Sequence, residues 1–342
     1  MAANKINVGW LTPNRACNNR CSWCYAKSTN FNDKILGLEL AEKLINLLKE
    51  LGVETVIILG GEPTLYKHLP DLIKKIINAG IQPAVVSNGR RFADFNYAKT
   101  IANTGINSVG FSIKGANKQQ YLELTGRDGY DEMMRGRHNL DKLGVETEFS
   151  VTLVNGIIES MEELVDSLIK EKVKKISWDI GSPILTKNGA EAINIADPIT
   201  LARAIENLYK IMEKSCMEYD IFLNIPLCLL PDYVLKGLRD NNRAMSCCQI
   251  QTKSGVIFDQ EGRVLPCNAF CDYPIGKFGV DFNDAKSFQK FWDSEEMKRL
   301  EKTLIRYPSK LCSKCDWWEI CGGGCPIKWM YWDPKKFIKG RR

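Results

Sequence analysis

The sequence is poor in histidine and has no long apolar run. Only His68 and His138 occur among its 342 residues, and both fall on predicted helices. No stretch approaches the roughly eighteen consecutive apolar residues of a transmembrane helix. The segment from Met1 to Trp10 also lacks the apolar core of a signal peptide. We therefore expect a cytoplasmic protein with no membrane partner.

The charge is nearly balanced and is spread along the chain. Lys and Arg number 47 against 41 Asp and Glu, a formal net charge of +6. We interpret this as a solubility feature, so no nucleic-acid partner is expected. Five of the last eight residues, 335–342, are basic, and we interpret them as a solvated tail. Hydrophobic residues make up 44%, which excludes a disordered chain and predicts a buried core.

Cysteine is the residue whose placement is most informative. Thirteen are present, an odd number, and a disulfide framework is not expected in a cytoplasmic chain. Three lie between Cys17 and Cys24, none lies from Tyr25 to Ser215, and ten lie between Cys216 and Cys325. Reduced thiols clustered in this way favour metal ligation.

Alternating apolar strands and amphipathic helices fill the first half of the chain. The predicted strands are Ile6–Leu11, Glu54–Leu59, Gln82–Ser87, Asn107–Ile113, Thr147–Val154 and Lys175–Ile180. Strands that alternate with helices pair in parallel through right-handed crossovers. Six units are fewer than the eight of a closed barrel, so we predict an α/β fold with a partial (β/α)6 TIM-like barrel. Its ligands would bind at the carboxyl ends of the strands.

The pattern changes after Pro183, and three parts are predicted. Residues 1–183 would form the barrel core, 184–246 a bridging helical segment and 247–342 a cysteine-rich extension. Helices are expected over 199–218, 228–238 and 287–304, and a hairpin over 255–267.

The first cysteine cluster follows the first strand. Cys17, Cys21 and Cys24 have the spacing C-x3-C-x2-C. Three thiolates on one short loop can hold three corners of a 4Fe–4S cubane and leave the fourth iron open for chemistry. A structural zinc site is the alternative, but it would need a fourth ligand, and no histidine lies near.

This motif, on the first loop of a partial barrel, resembles that of the radical S-adenosylmethionine (radical SAM) enzymes. In that superfamily the open iron binds the amino and carboxylate groups of SAM, and reductive cleavage gives a 5′-deoxyadenosyl radical. The resemblance implies that Cys17, Cys21 and Cys24 are the cluster ligands. It also implies that Trp23 lies against the adenosine.

Segments at the ends of three further strands resemble the SAM-binding segments of the superfamily. They are Gly60-Gly61-Glu62, Ser87-Asn88-Gly89 and Ser112-Ile113-Lys114-Gly115. The resemblance implies that the two glycines admit the methionine part of SAM and that Glu62 accepts a hydrogen bond from its ammonium. It also implies SAM contacts from Ser87, Asn88 and Ser112, whereas Lys114 departs from the usual Asp. Arg127 is a further candidate, as a partner for the SAM carboxylate.

The later cysteines resemble the SPASM extension of peptide maturases, which binds two auxiliary 4Fe–4S clusters. The matching segments are Cys248-x13-Gly262-x4-Cys267 and Cys312-x2-Cys315-x5-Cys321-x3-Cys325. The resemblance implies a first auxiliary cluster on Cys248, Cys267 and Cys325, with a fourth ligand from Cys228, Cys247 or Cys271. It implies a second on Cys312, Cys315 and Cys321, but the final cysteine of the pattern is missing. Asp333 or Cys271 would replace it, or one iron would be open; a zinc site is the alternative reading of the last four cysteines.

The resemblance implies a peptide or protein substrate, above all a ribosomally made precursor peptide. Cross-linking of side chains and excision of part of a tyrosine to leave a β-amino acid are the expected reactions. Asn268 stands where sulfatase maturases have a catalytic Asp, which argues against formylglycine formation. No catalytic residue is assigned.

Partners follow from the same resemblance. The first strand begins by residue 6, so we expect a separate small leader-peptide-binding protein, and a reducing donor of the flavodoxin or ferredoxin type. The alternatives are a small-molecule radical SAM dehydrogenase or mutase, and a non-catalytic iron–sulfur scaffold.

Overall fold

A computed structural model describes residues 6–26, 33–215, 217–245 and 248–338. Its strands are β1 (Val8–Leu11), β2 (Thr55–Ile58), β3 (Gln82–Ser87), β4 (Ser108–Ile113), β5 (Glu146–Leu153), β6 (Lys175–Ile180), β7 (Ile184–Thr186), β8 (Gly189–Glu191), β9 (Glu218–Phe222), β10 (Ala244–Met245), β11 (Gly255–Phe258), β12 (Arg263–Leu265) and β13 (Gly276–Lys277). All six predicted strands are present, two of them with the predicted bounds.

The helices lie between these strands and after them. They are α1 (Leu38–Glu50), α2 (Leu69–Asn78), α3 (Phe95–Ala102), α4 (Lys118–Thr125), α5 (Tyr130–Lys142), α6 (Asn155–Ile158), α7 (Met161–Lys170), α8 (Pro198–Lys214), α9 (Asp232–Asp240), α10 (Gln249–Thr252), α11 (Ala285–Trp292), α12 (Glu295–Leu304), α13 (Trp318–Cys321) and α14 (Lys328–Tyr331). None of the helices in the described part of the chain has both the length and the apolar character that crossing a bilayer requires.

One sheet organises the molecule. Its order is β10-β9-β6-β5-β4-β3-β2-β1-β11-β12-β13, and the strands from β10 to β11 are parallel. The chain order β1 to β6 is kept across the sheet with a helix on every crossover. The predicted α/β partial barrel is therefore confirmed.

The outer helices pack against the outward faces of the strands. In α1, Ala41, Leu44 and Leu48 recur at helical spacing and are fully buried. A Cβ on Gly9 of β1 would lie 2.9 Å from Cδ2 of Leu48, so glycine lets this helix approach the sheet closely. Burying each leucine contributes about 1.5–3 kcal/mol.

The barrel interior is polar on the side of β4, β5 and β6. Ser112, Ser150 and Ser177 are in register on these strands, and all three are half-buried. Thr152 and Asp179 form the next pair on the same face, at the carboxyl ends of β5 and β6. A polar, water-accessible wall therefore leads to the end of the barrel where ligands are expected.

The segment 184–246 contains the two predicted helices, as α8 and α9, together with strands that the sequence did not predict. It contains the β7–β8 hairpin, and β9 and β10 extend the parallel sheet beyond β6. The strand β9 was missed because the predicted helix over 199–218 reaches its first residue, Glu218, and β10 has only two residues. The predicted hairpin in the extension is confirmed as β11–β12, but β11 also pairs with β1. The boundaries at 183 and 246 stay a prediction.

Candidate active site and cysteine clusters

A cavity of about 360 Å³ opens at the carboxyl ends of the parallel strands. The residues predicted from the sequence that line it are Cys17, Cys21, Trp23, Cys24, Gly60, Gly61, Glu62, Ser87, Asn88 and Ser112. The fold thus brings together the first cysteine cluster and all three strand-end segments. Arg127 is different: it is exposed and is not part of the cavity lining, so the structure gives no support for it as a SAM contact.

The loop that carries the first cysteines is tied to the ends of neighbouring strands. Asn88 donates from Nδ2 to Oδ1 of Asn18 at 2.6 Å, and Arg90 donates from Nη1 to the carbonyl of Asn18 at 2.7 Å. Asn19 is buried, and its Nδ2 donates to the hydroxyl of Tyr121 at 2.9 Å. These bonds fix where the thiols stand relative to the cavity.

Cys17 faces the cavity, where water reaches it although the protein wall surrounds it. Burial raises the pKa of its thiol to about 11, and Glu62, Cys21 and Cys24 add to the rise. The backbone N–H of Asn19 donates to Cys17 Sγ at 3.4 Å, which favours the thiolate. The free thiol is therefore protonated at neutral pH, and binding iron would displace the proton.

The Glu62 carboxylate connects the ends of two strands, β2 and β3. Its side chain is 1% exposed. Oε1 accepts hydrogen bonds from the backbone N–H of Thr64 at 3.0 Å and from the hydroxyls of Thr64 and Ser87, both at 2.7 Å. Oε2 accepts the backbone N–H of Asn88 at 2.8 Å. The Glu62 carboxylate thus holds the loops after β2 and β3 together at the cavity.

The two glycines before Glu62 allow a close approach to the cysteine loop. A Cβ on Gly60 would lie 2.4 Å from the carbonyl oxygen of Asn14, and one on Gly61 would lie 2.3 Å from that of Ala16. No side chain fits at these distances. The close contact sets the cysteine loop against the end of β2, on one side of the cavity.

Trp23 and Lys114 stand next to each other at the cavity. Trp23 is largely buried, and the Lys114 ammonium lies 5.8 Å from its ring centroid. Lys114 also donates a hydrogen bond to the hydroxyl of Ser112. A cation therefore occupies the position where the radical SAM pattern usually has an Asp.

Asp179 is the carboxylate on the opposite wall. It stands at the end of β6 and lines the cavity. Water reaches its side chain from the cavity, but the surrounding protein raises its pKa from 3.8 to about 6, and Lys114 opposes that rise. Glu62 and Asp179 are the acidic residues of the described cavity lining, and Glu62 is already engaged.

We predict that Asp179→Asn stabilises the protein in a pH-dependent way. Because the folded state raises the pKa of Asp179, it disfavours the charged form, and that cost appears as the pH rises from about 4 through 6. The variant should melt at a higher temperature than the wild type at pH 7 and at the same temperature at pH 4. Asp166→Asn, on the exposed face of α7, is the control. An Asp179→Asn effect that is equal at both pH values would contradict the prediction.

A second cysteine group lies in the extension. Burial raises the pKa of Cys267 to about 12, and Cys325, Cys248 and Cys271 add to the rise. The N–H of Ala269 donates to Cys267 Sγ at 3.4 Å. The members predicted from the sequence thus come together, and Cys271 lies with them; Cys247 falls outside the described residues.

A third cysteine group forms around the 312–325 segment. Burial raises the pKa of Cys312 and Cys321, and Cys315 and Cys228 add to the rise in both. Cys228 therefore lies with this group rather than with Cys248, Cys267 and Cys325. Asp333 instead caps a short turn, since its side chain accepts the N–H of Lys335 at 3.0 Å.

Each of the three groups contains the thiols that an iron–sulfur cluster needs. Within the described part of the chain, no group of three or more His, Cys, Asp or Glu residues could hold a metal ion. The ligands of a cubane bind different irons, so they need not converge on one point. Each group also contains a sulfur that accepts a backbone N–H, from Asn19, Ala269 or Leu227. Such bonds favour thiolates.

A buried cation beside the second group adds to this fit. Lys328 is fully buried, and its Nζ donates to the carbonyl of Gly181 at 2.5 Å and to the hydroxyl of Ser182 at 3.1 Å. Burial lowers its pKa to about 8, and Cys325 opposes that shift. A buried ammonium is costly without an anion nearby, and a thiolate-bound cluster would supply one.

Residues 11–169 match the family model of the Radical SAM superfamily. This part of the chain is a radical SAM domain. S-adenosylmethionine and a 4Fe–4S cluster are the cofactors of that superfamily. The domain runs from β1 to α7, so it contains the cysteine loop and the ends of β2, β3 and β4.

Known proteins resemble the chain well beyond the radical SAM domain. Fe-coproporphyrin III synthase from Methanosarcina barkeri is 23% identical over 334 residues, which cover 92% of this chain and 82% of that protein. The structure of anSMEcpe with bound AdoMet and the Kp18Cys peptide superposes with a TM-score of 0.72 at 17% identity, covering 93% of this chain and 89% of the other. SuiB of Streptococcus suis bound to the precursor peptide SuiA gives a TM-score of 0.70 at 18% identity, covering 95% and 72%. The chain therefore shares its fold, extension included, with these two structures.

Sequence reasoning missed three residues around the radical SAM domain. Asp179 had a usable signal, because it ends a predicted strand where ligand-binding residues are expected. No signal in the sequence pointed to Arg90 or Lys328. Each donates a hydrogen bond to a residue far away in the chain, Asn18 for Arg90 and Gly181 for Lys328.

Proposed function

We propose that this radical SAM enzyme cleaves S-adenosylmethionine reductively and modifies a peptide or protein, above all a ribosomally made precursor peptide. When bound, SAM and the cluster supply a radical able to abstract hydrogen from an unactivated C–H bond. Cross-linking of side chains and excision of part of a tyrosine to leave a β-amino acid are the proposed reactions.

The cavity is the observation that carries the proposal. The ends of β1 to β4 supply one wall, with Cys17, Cys21 and Cys24, and Asp179 supplies the opposite wall. Asn268 of the extension also lines the cavity, so barrel and extension enclose one space. The likeness to two structures solved with bound peptides supports a peptide as the substrate.

Residues at different positions around the cavity have different proposed roles. Cys17, Cys21 and Cys24 would hold the cluster that binds SAM. Glu62, through its bonds to Ser87 and Asn88, keeps the SAM-facing loops in place.

The cavity wall that contains Asp179 and Asn268 would contact the substrate. Asp179 is placed to accept a proton or a hydrogen bond from it, and its raised pKa suits proton transfer near neutral pH. Asn268 carries an amide where a base would be needed for formylglycine formation.

Two auxiliary clusters in the extension complete the proposal. They would take an electron from the product or pass one onward, and the first would be held by Cys248, Cys267 and Cys325. A flavodoxin or ferredoxin would supply electrons, and a separate small protein would bind the leader peptide. An affinity experiment that recovers no such protein, with full activity of the enzyme alone, would remove this partner from the proposal.

The test is direct. We predict that anaerobically reconstituted protein holds about eight to twelve irons and forms 5′-deoxyadenosine from SAM under reduction. Co-expression with peptides encoded beside the gene, followed by mass spectrometry, should show a peptide of altered mass. Protein that leaves SAM intact when given electrons would overturn the whole proposal, including the reading as an enzyme.

A small-molecule substrate is the second candidate. It is favoured by the sequence likeness to Fe-coproporphyrin III synthase over 92% of this chain. Incubation with an iron porphyrin carboxylate, SAM and a reductant distinguishes the two. Porphyrin modification without peptide modification would favour the second candidate.

A further inference from the structure

The chain after β9 is packed directly onto the cysteine-rich segment 312–325. The N–H of Cys325 donates to the carbonyl of Asn224 at 2.8 Å. A Cβ on Gly324 would lie 3.0 Å from the backbone nitrogen of Pro226, and this glycine has a φ of +81°. Both the close approach and the left-handed backbone favour glycine here. The two segments therefore form one unit although about a hundred residues separate them.

Cys228 enters the third cysteine group through this contact. Its neighbour Leu227 donates a backbone N–H to Cys321 Sγ at 3.3 Å. The half-buried Cys228 acts electrostatically on both Cys312 and Cys321. Because Cys228 directly follows Leu227 in the chain, the hydrogen bond from Leu227 places Cys228 beside Cys321. With Cys315, which acts on the same two thiols, these four cysteines form one group.

The other candidates for a fourth ligand lie elsewhere. Cys271 Sγ donates to the carbonyl of Tyr25 at 3.7 Å, and Cys271 groups with Cys267. The Asp333 carboxylate caps its own turn through the N–H of Lys335.

We propose that Cys228 is the fourth ligand of a second auxiliary 4Fe–4S cluster held by Cys312, Cys315 and Cys321. A residue upstream of the extension would thus replace the cysteine that the SPASM pattern has downstream. Each thiol loses its proton to solvent on binding an iron. With four thiolates the cluster has no open iron, so its role is electron transfer and not substrate binding.

The experiment compares three variants of the full chain, Cys228→Ala, Cys271→Ala and Asp333→Ala, after anaerobic reconstitution. This inference rests on the proposed function only in requiring that clusters assemble; iron content and electron paramagnetic resonance are measured without SAM or substrate. Cys228→Ala should lose one cluster, about a third of the iron if three are present, or give a three-iron signal. Circular dichroism shows whether the Cys228→Ala protein keeps its fold, and so separates loss of the cluster from loss of the fold. Cys228→Ser is a second control, because its hydroxyl oxygen can still bind iron.

The outcomes are decisive in both directions. Retention of wild-type iron and spectra by Cys228→Ala overturns the inference, as does loss of the same cluster from Asp333→Ala or Cys271→Ala instead. Zinc in place of iron at the third group also overturns it. A failure to cleave SAM, with the cluster lost only from Cys228→Ala, would sink the proposed function and leave this inference standing.

Discussion

Replacing Cys17 with alanine is expected to abolish reductive cleavage of SAM. Cys17 faces the cavity, so the substitution leaves no unfilled space in the core. Its cost therefore falls on the cluster rather than on the fold. Changes behind a metal ligand typically cost 10–100-fold in affinity or activity, and losing the ligand itself should cost more than about 100-fold. The measurement is 5′-deoxyadenosine formed per enzyme under anaerobic reduction, together with iron content.

Ser22→Ala is the matched control, because Ser22 lies on the same loop. Its hydroxyl accepts a long hydrogen bond from Nδ2 of Asn194, at 3.4 Å. The control should keep its iron and its activity. Cleavage of SAM at the wild-type rate by the Cys17→Ala protein would show that the open iron is not at this loop.

Glu62→Ala is expected to give the largest loss of stability among single substitutions at the site. The change removes the acceptor of four hydrogen bonds, two of them from the backbone N–H groups of Thr64 and Asn88. Hydroxyls can turn to new partners, but these N–H groups cannot. Leaving each unpaired costs about 1–3 kcal/mol, so we expect a loss on the order of 3 kcal/mol.

Urea unfolding of anaerobically purified protein measures this loss, and SAM affinity should fall with it. Glu62→Gln keeps one acceptor oxygen and should lose about 1 kcal/mol. Glu42→Ala, which breaks an exposed ion pair with Lys75, should lose less than about 1 kcal/mol. Equal effects of Glu62→Ala and Glu42→Ala would show that the Glu62 network does not hold the strand ends together.

Lys114 and Asp179 place two opposite charges on the side of the cavity formed by β4 and β6. A cation at the end of β4 and a carboxylate at the end of β6 act on each other across the end of β5. Both strands belong to the polar side of the barrel. A polar group of the substrate is therefore the natural occupant of this side, whichever substrate class proves correct.

The periodic part of the fold could be predicted from the sequence. The strands β1 to β6 carry buried residues at alternate positions, and helices such as α1 repeat them every three to four residues. The strand β9 was not predicted because the predicted helix over 199–218 extends to its first residue, and β10 was not predicted because it has only two residues. The boundary of the extension was placed between β10 and β11, but the structure joins β11 to β1 by backbone hydrogen bonds.

The site divides in the same way between sequence and structure. Cys17, Cys21 and Cys24 stand close in the chain, so their spacing already predicted a shared ligand. Cys228 lies far from its group in the chain, 84 residues before Cys312. Spacing alone therefore left it as a candidate ligand of the first auxiliary cluster. Arg127 was a candidate from its distance along the chain, yet it is exposed and is not part of the cavity lining.

The sequence by itself determined the barrel, its cysteine loop and the radical SAM character of residues 11–169. These depend on periodicity and on ligands that a few consecutive residues can present. Only the tertiary structure decided which later cysteines belong together, that Asp179 and Lys114 share a cavity, and that Lys328 is buried beside Cys325. Such contacts join distant parts of the chain, and packing brings those parts together without leaving a local pattern for the sequence to reveal.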